Sequence, residues 1–176
     1  YPGKADQGIV FKRIDLKEKN LISANYLNVS STTLCTTLEN EFGVKVSTVE
    51  HLLAALYLSE VDNALIEIDN EEVPIMDGSA KNFLNILKKA QINTLNKKRK
   101  FIKIENKVEL IDGKRKISLE PGDDSLEIKF KLNYENKVIG NQENTVNFNK
   151  DNLDDVSNSR TFCLFKDIEK IKKAGL

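Results

Sequence analysis

The sequence has no excess of either charge, little cysteine and no long hydrophobic run. Its 27 lysine and arginine residues balance 27 aspartate and glutamate residues, so no overall field attracts the chain to nucleic acid or to a membrane surface. Apolar runs such as 52–58 are much shorter than the roughly 20 residues that a membrane span requires. The N-terminus lacks a basic region followed by an apolar one, so we expect a cytoplasmic location and no integral membrane segment.

Cysteine and histidine are both scarce. The two cysteines, Cys35 and Cys163, lie far apart in the sequence and are too few for a disulfide framework, which favours reduced thiols that behave as small apolar groups. His51 is the only histidine, and Ala55 stands where the second histidine of the common zinc-protease pattern would be. Since a catalytic zinc normally has three protein ligands, the chain offers an incomplete set.

The remaining composition is that of a globular protein. Charged residues make up 31% and hydrophobic residues 40% of 176 positions, enough for one or two domains. The basic run 97–100 has no interleaved aromatic residues and separates two patterned regions, which favours a solvated linker over a nucleic-acid patch. We therefore predict a first domain over 1–96 and a second over 101–176, both of the α+β class.

The spacing of apolar residues predicts the elements of the first domain. Strands are expected over 8–16 and from Leu27 onward. The segment 32–42 combines a β-branched start with helical spacing, and we favour a helix in its second half. The remaining predictions are a helix over 48–58, a strand over 64–68 and a second helix that is capped by Ser79.

The second domain is predicted to be an antiparallel sheet followed by a helix. Two strands, 101–111 and 115–119, flank the hairpin signal Asp112-Gly113. Apolar and polar residues alternate over 126–134, which predicts a strand with one buried face. The final helix, over 165–175, is acidic early, basic late and ends in glycine, as expected for a helix that complements its dipole.

The stretch Ser47-Thr48-Val49-Glu50 fits a capping box, in which Ser47 and Glu50 exchange hydrogen bonds at the start of a helix. The same residues also allow a functional interpretation. The dipole of the first helical turn disfavours a protonated imidazole, which leaves His51 with a lone pair for a metal such as zinc. Glu50 would then reach a water bound to that metal and act as a general base.

Five blocks of the sequence occur in a recognisable order and spacing: 33–38, 46–56, 61–64, 73–80 and 159–162. Together they resemble the UDP-3-O-acyl-N-acetylglucosamine deacetylase family, the zinc hydrolases of lipid A biosynthesis in Gram-negative bacteria. The strings STVEHL and PIMDGSA within these blocks are highly specific. The resemblance covers essentially the whole chain.

The resemblance implies a role for each matching residue. His51 would bind Zn²⁺, and Glu50 would take a proton from the zinc-bound water that attacks the acetamide carbonyl. Thr161 would donate a hydrogen bond to the developing oxyanion. Four further residues would contact the substrate, with the tyrosine stacked on the uracil ring: Leu34, Cys35, Tyr134 and Phe162.

The resemblance also implies a two-layer sandwich of two similar α+β domains, of which the second is incomplete in this chain. The family's other zinc ligands and its histidine general acid correspond to positions after Leu176, and a first strand segment to positions before Tyr1. We therefore expect the chain alone to be inactive or nearly so. The complete protein is expected to be a monomer that binds UDP-3-O-acyl-N-acetylglucosamine.

Three alternatives remain beside this interpretation. Cys35 or Cys163 could be a thiol nucleophile with His51 as its base. The chain could be a non-catalytic module that binds a UDP-sugar without turnover. It could also be an α+β domain that binds RNA or a protein, with a purely structural Glu-His pair, although the neutral charge balance argues against RNA.

Overall fold

The computed structural model describes residues 1–123 and 125–173 and divides the chain into two compact units. The first unit combines Tyr1–Lys98 with the segment that begins at Asp154, and the second is Arg99–Leu153. The residues from Asp154 onward therefore belong with the first unit, which differs from the predicted second domain over 101–176. The physical reason is a set of contacts with the first unit, which includes a hydrogen bond of 2.9 Å from the N–H of Thr161 to the carbonyl of Gly78.

The first sheet of unit 1 has three strands, with the first strand of the chain at its centre. Phe11 on this strand lies opposite Ile22 on one side and Ile66 on the other. The strands are β1 (Ile9–Arg13), the antiparallel β2 (Leu21–Ser23) and the parallel β6 (Ala64–Ile68). The strands predicted over 8–16 and 64–68 are thus confirmed, whereas β2 was not predicted.

The second sheet of unit 1 is antiparallel and shows that one predicted helix is wrong. Its strands, in spatial order, are β3 (Val29–Ser31), β4 (Thr37–Glu39) and β5 (Lys45–Val46). The helix expected in the second half of 32–42 is replaced by β4 and a turn. Asn40 forms this turn, because its Oδ1 accepts hydrogen bonds from the N–H groups of Phe42 and Val44, each at 3.0 Å. An asparagine side chain that binds nearby backbone favours a turn over a continuing helix.

Four α-helices are described, all in unit 1. They are α1 (Glu50–Leu58), α2 (Lys81–Ala90), α3 (Asp154–Asn158) and α4 (Ile168–Lys173), with short 3₁₀ turns at Tyr26–Asn28 and Phe165–Asp167. The helices predicted over 48–58 and after Ser79 are confirmed, while α3 was not predicted. The glycine expected to end the last helix, Gly175, lies outside the described residues. None of the helices in residues 1–123 and 125–173 is long and apolar enough to cross a membrane.

The core of unit 1 is formed by apolar side chains from both sheets and the first two helices. Phe11, Ile22, Val46 and Val49 are fully buried at its centre. Because Val49 directly precedes α1, burial of its side chain places the start of that helix against the core. The other members of this cluster are Leu38, Ala55, Val73, Ala80 and Phe83.

Unit 2 consists of two β-hairpins: β7 (Val108–Asp112) with β8 (Arg115–Leu119), and β9 (Glu127–Asn133) with β10 (Asn141–Asn147). The hairpin predicted at Asp112-Gly113 is confirmed, although its first strand begins at Val108. The strand within 126–134 is also confirmed, but its predicted buried face is wrong, since Ile128 is 45% and Phe130 is 59% exposed. The reason is that each hairpin forms a two-stranded sheet of its own, which has too few strands to bury an apolar face by itself. The α+β class of the chain is confirmed.

Candidate functional site

Glu50 and His51 are the first two residues of α1, and the capping box predicted for this helix start is wrong. The helix has Val49 at its N-cap position and no side-chain hydrogen bond there. The N–H of Ser47 donates instead to the carbonyl of Glu71 at 2.8 Å, and the Ser47 hydroxyl pairs with that of Thr37 at 3.0 Å. The N–H and the hydroxyl of Ser47 are therefore used by other parts of the fold, and the Glu50 carboxylate is not part of a cap.

The Glu50 carboxylate is held by the loop that precedes β4. Its Oε2 accepts a hydrogen bond of 3.1 Å from the N–H of Thr36. Among the described residues, no partner contacts its other oxygen, Oε1. One oxygen is thus fixed by the backbone while the other can accept a proton, which is the arrangement that a general base requires.

Leu34 and Cys35, the predicted substrate contacts near the helix, belong to this same loop. Leu34 has a left-handed backbone with φ of 67°, which is uncommon for a residue with a side chain, and its side chain is 63% exposed. The Cys35 thiol is half-buried and lies 3.8 Å from the Thr37 hydroxyl. The next residue, Thr36, binds Glu50. Both predicted substrate contacts therefore directly precede the residue that holds the predicted base.

Thr161 and Phe162 lie in a segment without regular secondary structure, and Thr161 binds the turn before α2. The N–H of Thr161 donates to the Gly78 carbonyl, and a Cβ at Gly78 would lie 3.5 Å from Cγ2 of Thr161. Within the described part of the chain, the Thr161 hydroxyl has no hydrogen-bond partner. It is exposed and can donate to a ligand, as the predicted oxyanion role requires.

The turn that receives Thr161 is organised by Asp77. Its Oδ1 accepts hydrogen bonds from the hydroxyl and the N–H of Ser79, at 2.7 and 3.1 Å, and its Oδ2 lies 3.5 Å from Nη2 of Arg160. The Ser79 hydroxyl also accepts a bond of 3.3 Å from the N–H of Lys81 at the start of α2. The hydrogen bond from the Ser79 hydroxyl, aided by its N–H and by the charge of Arg160, lowers the pKa of Asp77 below its ordinary value of 3.8.

We expect this turn to lose stability on acidification. A carboxyl group whose pKa is lower in the folded state than in the unfolded state stabilises the fold above its unfolded pKa, and this contribution is lost as the pH falls through the folded-state pKa. The window for Asp77 thus lies below 3.8. In a carboxyl NMR titration, Ser79→Ala should raise the pKa of Asp77 more than Arg160→Gln does, because the hydroxyl bond is the larger cause. A larger rise in Arg160→Gln would contradict this assignment.

Tyr134, the residue predicted to stack on uracil, lies in unit 2 directly after β9. Its N–H donates to the carbonyl of Gly140 at 3.0 Å, which closes the β9–β10 hairpin. Its side chain is 37% exposed, so part of the ring surface is accessible for stacking. The other predicted site residues, from Leu34 to Phe162, all belong to unit 1.

The described residues do not form a complete metal site. No group of three or more His, Cys, Asp or Glu side chains that could hold a metal ion occurs within residues 1–123 and 125–173. His51 is partly exposed at the start of α1 and has no hydrogen-bond partner in this part of the chain. One imidazole does not satisfy a zinc ion that normally takes three or four protein ligands.

The thiol-nucleophile alternative has no support in the described geometry. Cys163 is exposed and Cys35 contacts only the Thr37 hydroxyl, so neither thiol is hydrogen-bonded to His51 among the described residues. A cysteine nucleophile requires a base within hydrogen-bond reach or another activating neighbour.

Three residues around the site were not predicted from the sequence. Thr36 binds Glu50, and Asp77 organises the turn that binds Thr161. Both residues lie inside the blocks that carry the family resemblance. The third is Glu72, whose Oε1 accepts a hydrogen bond of 2.7 Å from the hydroxyl of Thr48. No local pattern indicates this contact, since the two residues are 24 positions apart.

Comparison with known proteins gives one consistent result. A family model described as UDP-3-O-acyl N-acetylglycosamine deacetylase matches residues 1–176. The chain is 40% identical over 176 residues to the UDP-3-O-acyl-N-acetylglucosamine deacetylase of Nautilia profundicola, a match that covers 99% of this chain and 59% of that protein. Proteins of the same name from Idiomarina loihiensis and Syntrophus aciditrophicus are 40% and 37% identical, with 99% of this chain and 58% and 55% of those proteins covered. The chain therefore spans little more than half the length of these relatives.

Proposed function

Because the chain belongs to the UDP-3-O-acyl N-acetylglycosamine deacetylase family, we propose that its full-length protein hydrolyses the N-acetyl group of UDP-3-O-acyl-N-acetylglucosamine. In this reaction the oxygen of water bonds to the acetamide carbonyl carbon and the C–N bond breaks. Acetate and a free amine are released, and the amine nitrogen takes up a proton. We place the reaction in lipid A biosynthesis, in the cytoplasm.

The geometry of Glu50 is the observation that best supports this proposal. Its Oε2 is fixed by the N–H of Thr36, while Oε1 is open to accept a proton from the attacking water. A positioned carboxylate of this kind contributes to amide hydrolysis as a general base. The Thr161 hydroxyl, which has no partner among the described residues, would donate a hydrogen bond to the oxyanion that forms on the carbonyl.

Zinc is the cofactor that the family resemblance implies, but the residues present do not fit a complete zinc site. His51 would contribute one nitrogen ligand, and the described residues provide no group of three donors. We propose that the other ligands come from the part of the family's length that this chain does not span. On this basis the 176-residue chain alone is expected to bind zinc weakly and to be inactive or nearly so.

Substrate contacts are proposed for two groups of residues. Leu34, Cys35 and Phe162 would line the sugar and acyl part of the site, because Leu34 and Cys35 directly precede Thr36, which binds Glu50, and Phe162 directly follows Thr161. Tyr134 would stack on the uracil ring with its exposed face. These roles predict that alanine substitutions in the first group raise KM for UDP-3-O-acyl-N-acetylglucosamine. Tyr134→Ala should weaken binding of the substrate through its nucleotide part.

The proposal is tested by incubating the purified full-length protein with UDP-3-O-acyl-N-acetylglucosamine and measuring the release of acetate and free amine. We expect turnover that is lost on chelation of zinc and restored when zinc is added back. The 176-residue chain in the same assay should show little or no turnover. Absence of deacetylation by the full-length protein with zinc present would refute the proposed function.

A second candidate function for the isolated chain is a UDP-sugar-binding module without turnover. Two separate observations favour it: no group of three metal donors occurs among the described residues, and the Tyr134 side chain of unit 2 is partly accessible. Calorimetry of the chain with UDP-3-O-acyl-N-acetylglucosamine, with and without zinc, separates the two. Binding that does not depend on zinc, without product formation, supports the module, whereas turnover by the chain alone excludes it.

A further inference from the structure

The 71–79 segment, which connects β6 to α2, contacts backbone next to both proposed catalytic side chains. Its first residues bind residues 47–48, which only Val49 separates from Glu50, and its last residues bind residues 160–161. Val73 and Ser79 within it are 2% and 0% exposed, so the segment is anchored in the core of unit 1 near each end, while residues 74–77 between them are exposed. Six residues, from Glu72 to Asp77, span at most about 20 Å when fully extended. One short piece of chain therefore binds the residues beside Glu50 and those at Thr161.

At its first end, the 71–79 segment determines how the chain enters α1. The N–H of Ser47 donates to the Glu71 carbonyl at 2.8 Å, and the N–H of Val73 donates to the Ser47 carbonyl at 3.0 Å. Next to this pair, the Thr48 hydroxyl donates to Oε1 of Glu72 at 2.7 Å. These three hydrogen bonds fix the two residues that precede Val49 and the helix.

Thr48 requires such support because its backbone conformation is unusual. Its φ is 59°, in the left-handed region that β-branched residues rarely adopt. The residue is 5% exposed, and the bond to Glu72 is its side-chain contact with the segment. Since Thr48 lies two positions before Glu50, its backbone angles set the direction of the first turn of α1 and hence the position of the Glu50 carboxylate.

At its second end, the segment holds Thr161 in place. The Gly78 carbonyl accepts the N–H of Thr161 at 2.9 Å, and Oδ2 of Asp77 lies 3.5 Å from Nη2 of Arg160. Asp77 is itself fixed by its two hydrogen bonds from Ser79. The residue with the oxyanion donor is thus bound through its own backbone and through its neighbour's side chain.

We propose that the 71–79 segment is a positioning element that sets the placement of the Glu50 base relative to the Thr161 hydroxyl, with Glu72 and Asp77 as its two positioning residues. This inference rests on the proposed function, because it takes Glu50 and Thr161 as the groups that act on the substrate. Neither Glu72 nor Asp77 touches the reacting atoms in this proposal. Each acts through the residue that it holds.

The test uses steady-state kinetics of the full-length protein. Glu72→Ala removes the acceptor for the Thr48 hydroxyl and Asp77→Ala removes the acceptor for Ser79, and each should lower kcat about ten- to a hundredfold with little change in KM, because a displacement of about 1 Å has effects of this size. Glu72→Gln keeps a carbonyl oxygen for Thr48 and should restore most of kcat. Glu41→Ala is the matched control, since it removes the same type of carboxylate from an exposed position in the turn between β4 and β5, outside the segment, and its kcat should stay within about twofold of wild type.

Two catalytic variants separate failure of this proposal from failure of the proposed function. If Glu50→Gln and Thr161→Val lose activity while Glu72→Ala and Asp77→Ala keep a kcat within about twofold of wild type, the positioning proposal is overturned and the proposed function stands. If Glu50→Gln and Thr161→Val keep full activity, the assigned catalytic roles fail instead. An effect of Glu72→Ala on KM alone, or no recovery in Glu72→Gln, also overturns the positioning proposal.

Hydrogen exchange gives a readout that does not depend on activity. In Asp77→Ala, the amide of Thr161 should exchange about tenfold faster than in wild type, because its acceptor turn is loosened and local opening becomes easier. In Glu41→Ala this amide should exchange at the wild-type rate. Equal exchange in wild type and Asp77→Ala would show that Asp77 does not hold the Thr161 backbone.

Discussion

Replacing Glu50 by glutamine in the full-length protein should lower kcat about 10²–10⁴-fold, the range expected for loss of a general base. Glutamine keeps an oxygen that can accept the N–H of Thr36, so the loop that holds residue 50 should stay in place. The amide cannot take up a proton from water at neutral pH. We therefore expect a large loss of kcat with an unchanged thermal midpoint, measured by the acetate-release assay and by thermal denaturation.

The matched control for this prediction is Glu41→Gln. Glu41 is exposed in the turn between β4 and β5, outside α1 and the loop that holds Glu50, and its substitution makes the same chemical change. Its kcat should stay at the wild-type level. A Glu50→Gln variant with wild-type kcat would exclude Glu50 as the base, and one that unfolds would show that its ionised carboxylate is required for the fold.

Phe11→Ala should lower the free energy of unfolding of unit 1 by about 3–5 kcal/mol, the range for truncation of a buried phenylalanine. Phe11 is fully buried on the central strand β1, between Ile22 and Ile66 on the neighbouring strands. Its removal leaves a cavity in the core cluster to which both sheets and α1 contribute. The measurement is urea denaturation followed by hydrogen exchange of the β1 amides, which reports on unit 1 separately from unit 2.

Phe165→Ala serves as the control, because this ring is 89% exposed in the same unit. Its substitution should change the free energy of unfolding by about 0.5 kcal/mol or less. If Phe11→Ala proves too unstable to study, Phe11→Leu provides a smaller loss that still exceeds that of the control. Equal effects of the two alanine substitutions would show that β1 is not at the centre of the core.

Local sequence patterns were sufficient for the elements whose structure depends on near neighbours. The helical spacing of apolar residues predicted α1, and the run of β-branched and apolar residues at 64–68 predicted β6. The Asp112-Gly113 signal predicted the β7–β8 hairpin. In each case the structure is decided by side chains within a few positions of one another, so the pattern contains the relevant information.

The capping box at Ser47 failed because contacts distant in sequence outcompeted local ones. The local pattern predicts reciprocal hydrogen bonds between Ser47 and Glu50. In the structure, the N–H of Ser47 donates to the Glu71 carbonyl and the Glu50 carboxylate accepts from the N–H of Thr36. The helix expected over the second half of 32–42 failed for a similar reason, since pairing of β4 with β3 and β5 offsets a weak helical preference. Contacts between residues this far apart in sequence form only when the chain folds.

The sequence by itself determined the family, the α+β class and the identity of Glu50, His51 and Thr161 as candidate site residues, because these follow from ordered blocks and local periodicity. Only the tertiary structure decided what holds them. Thr36 fixes Glu50, the 71–79 segment binds the residues beside both Glu50 and Thr161, and residues from Asp154 onward join unit 1. The physical reason is that a hydrogen bond between residues 14 or 24 positions apart depends on where packing of the core brings the chain, which no local pattern records.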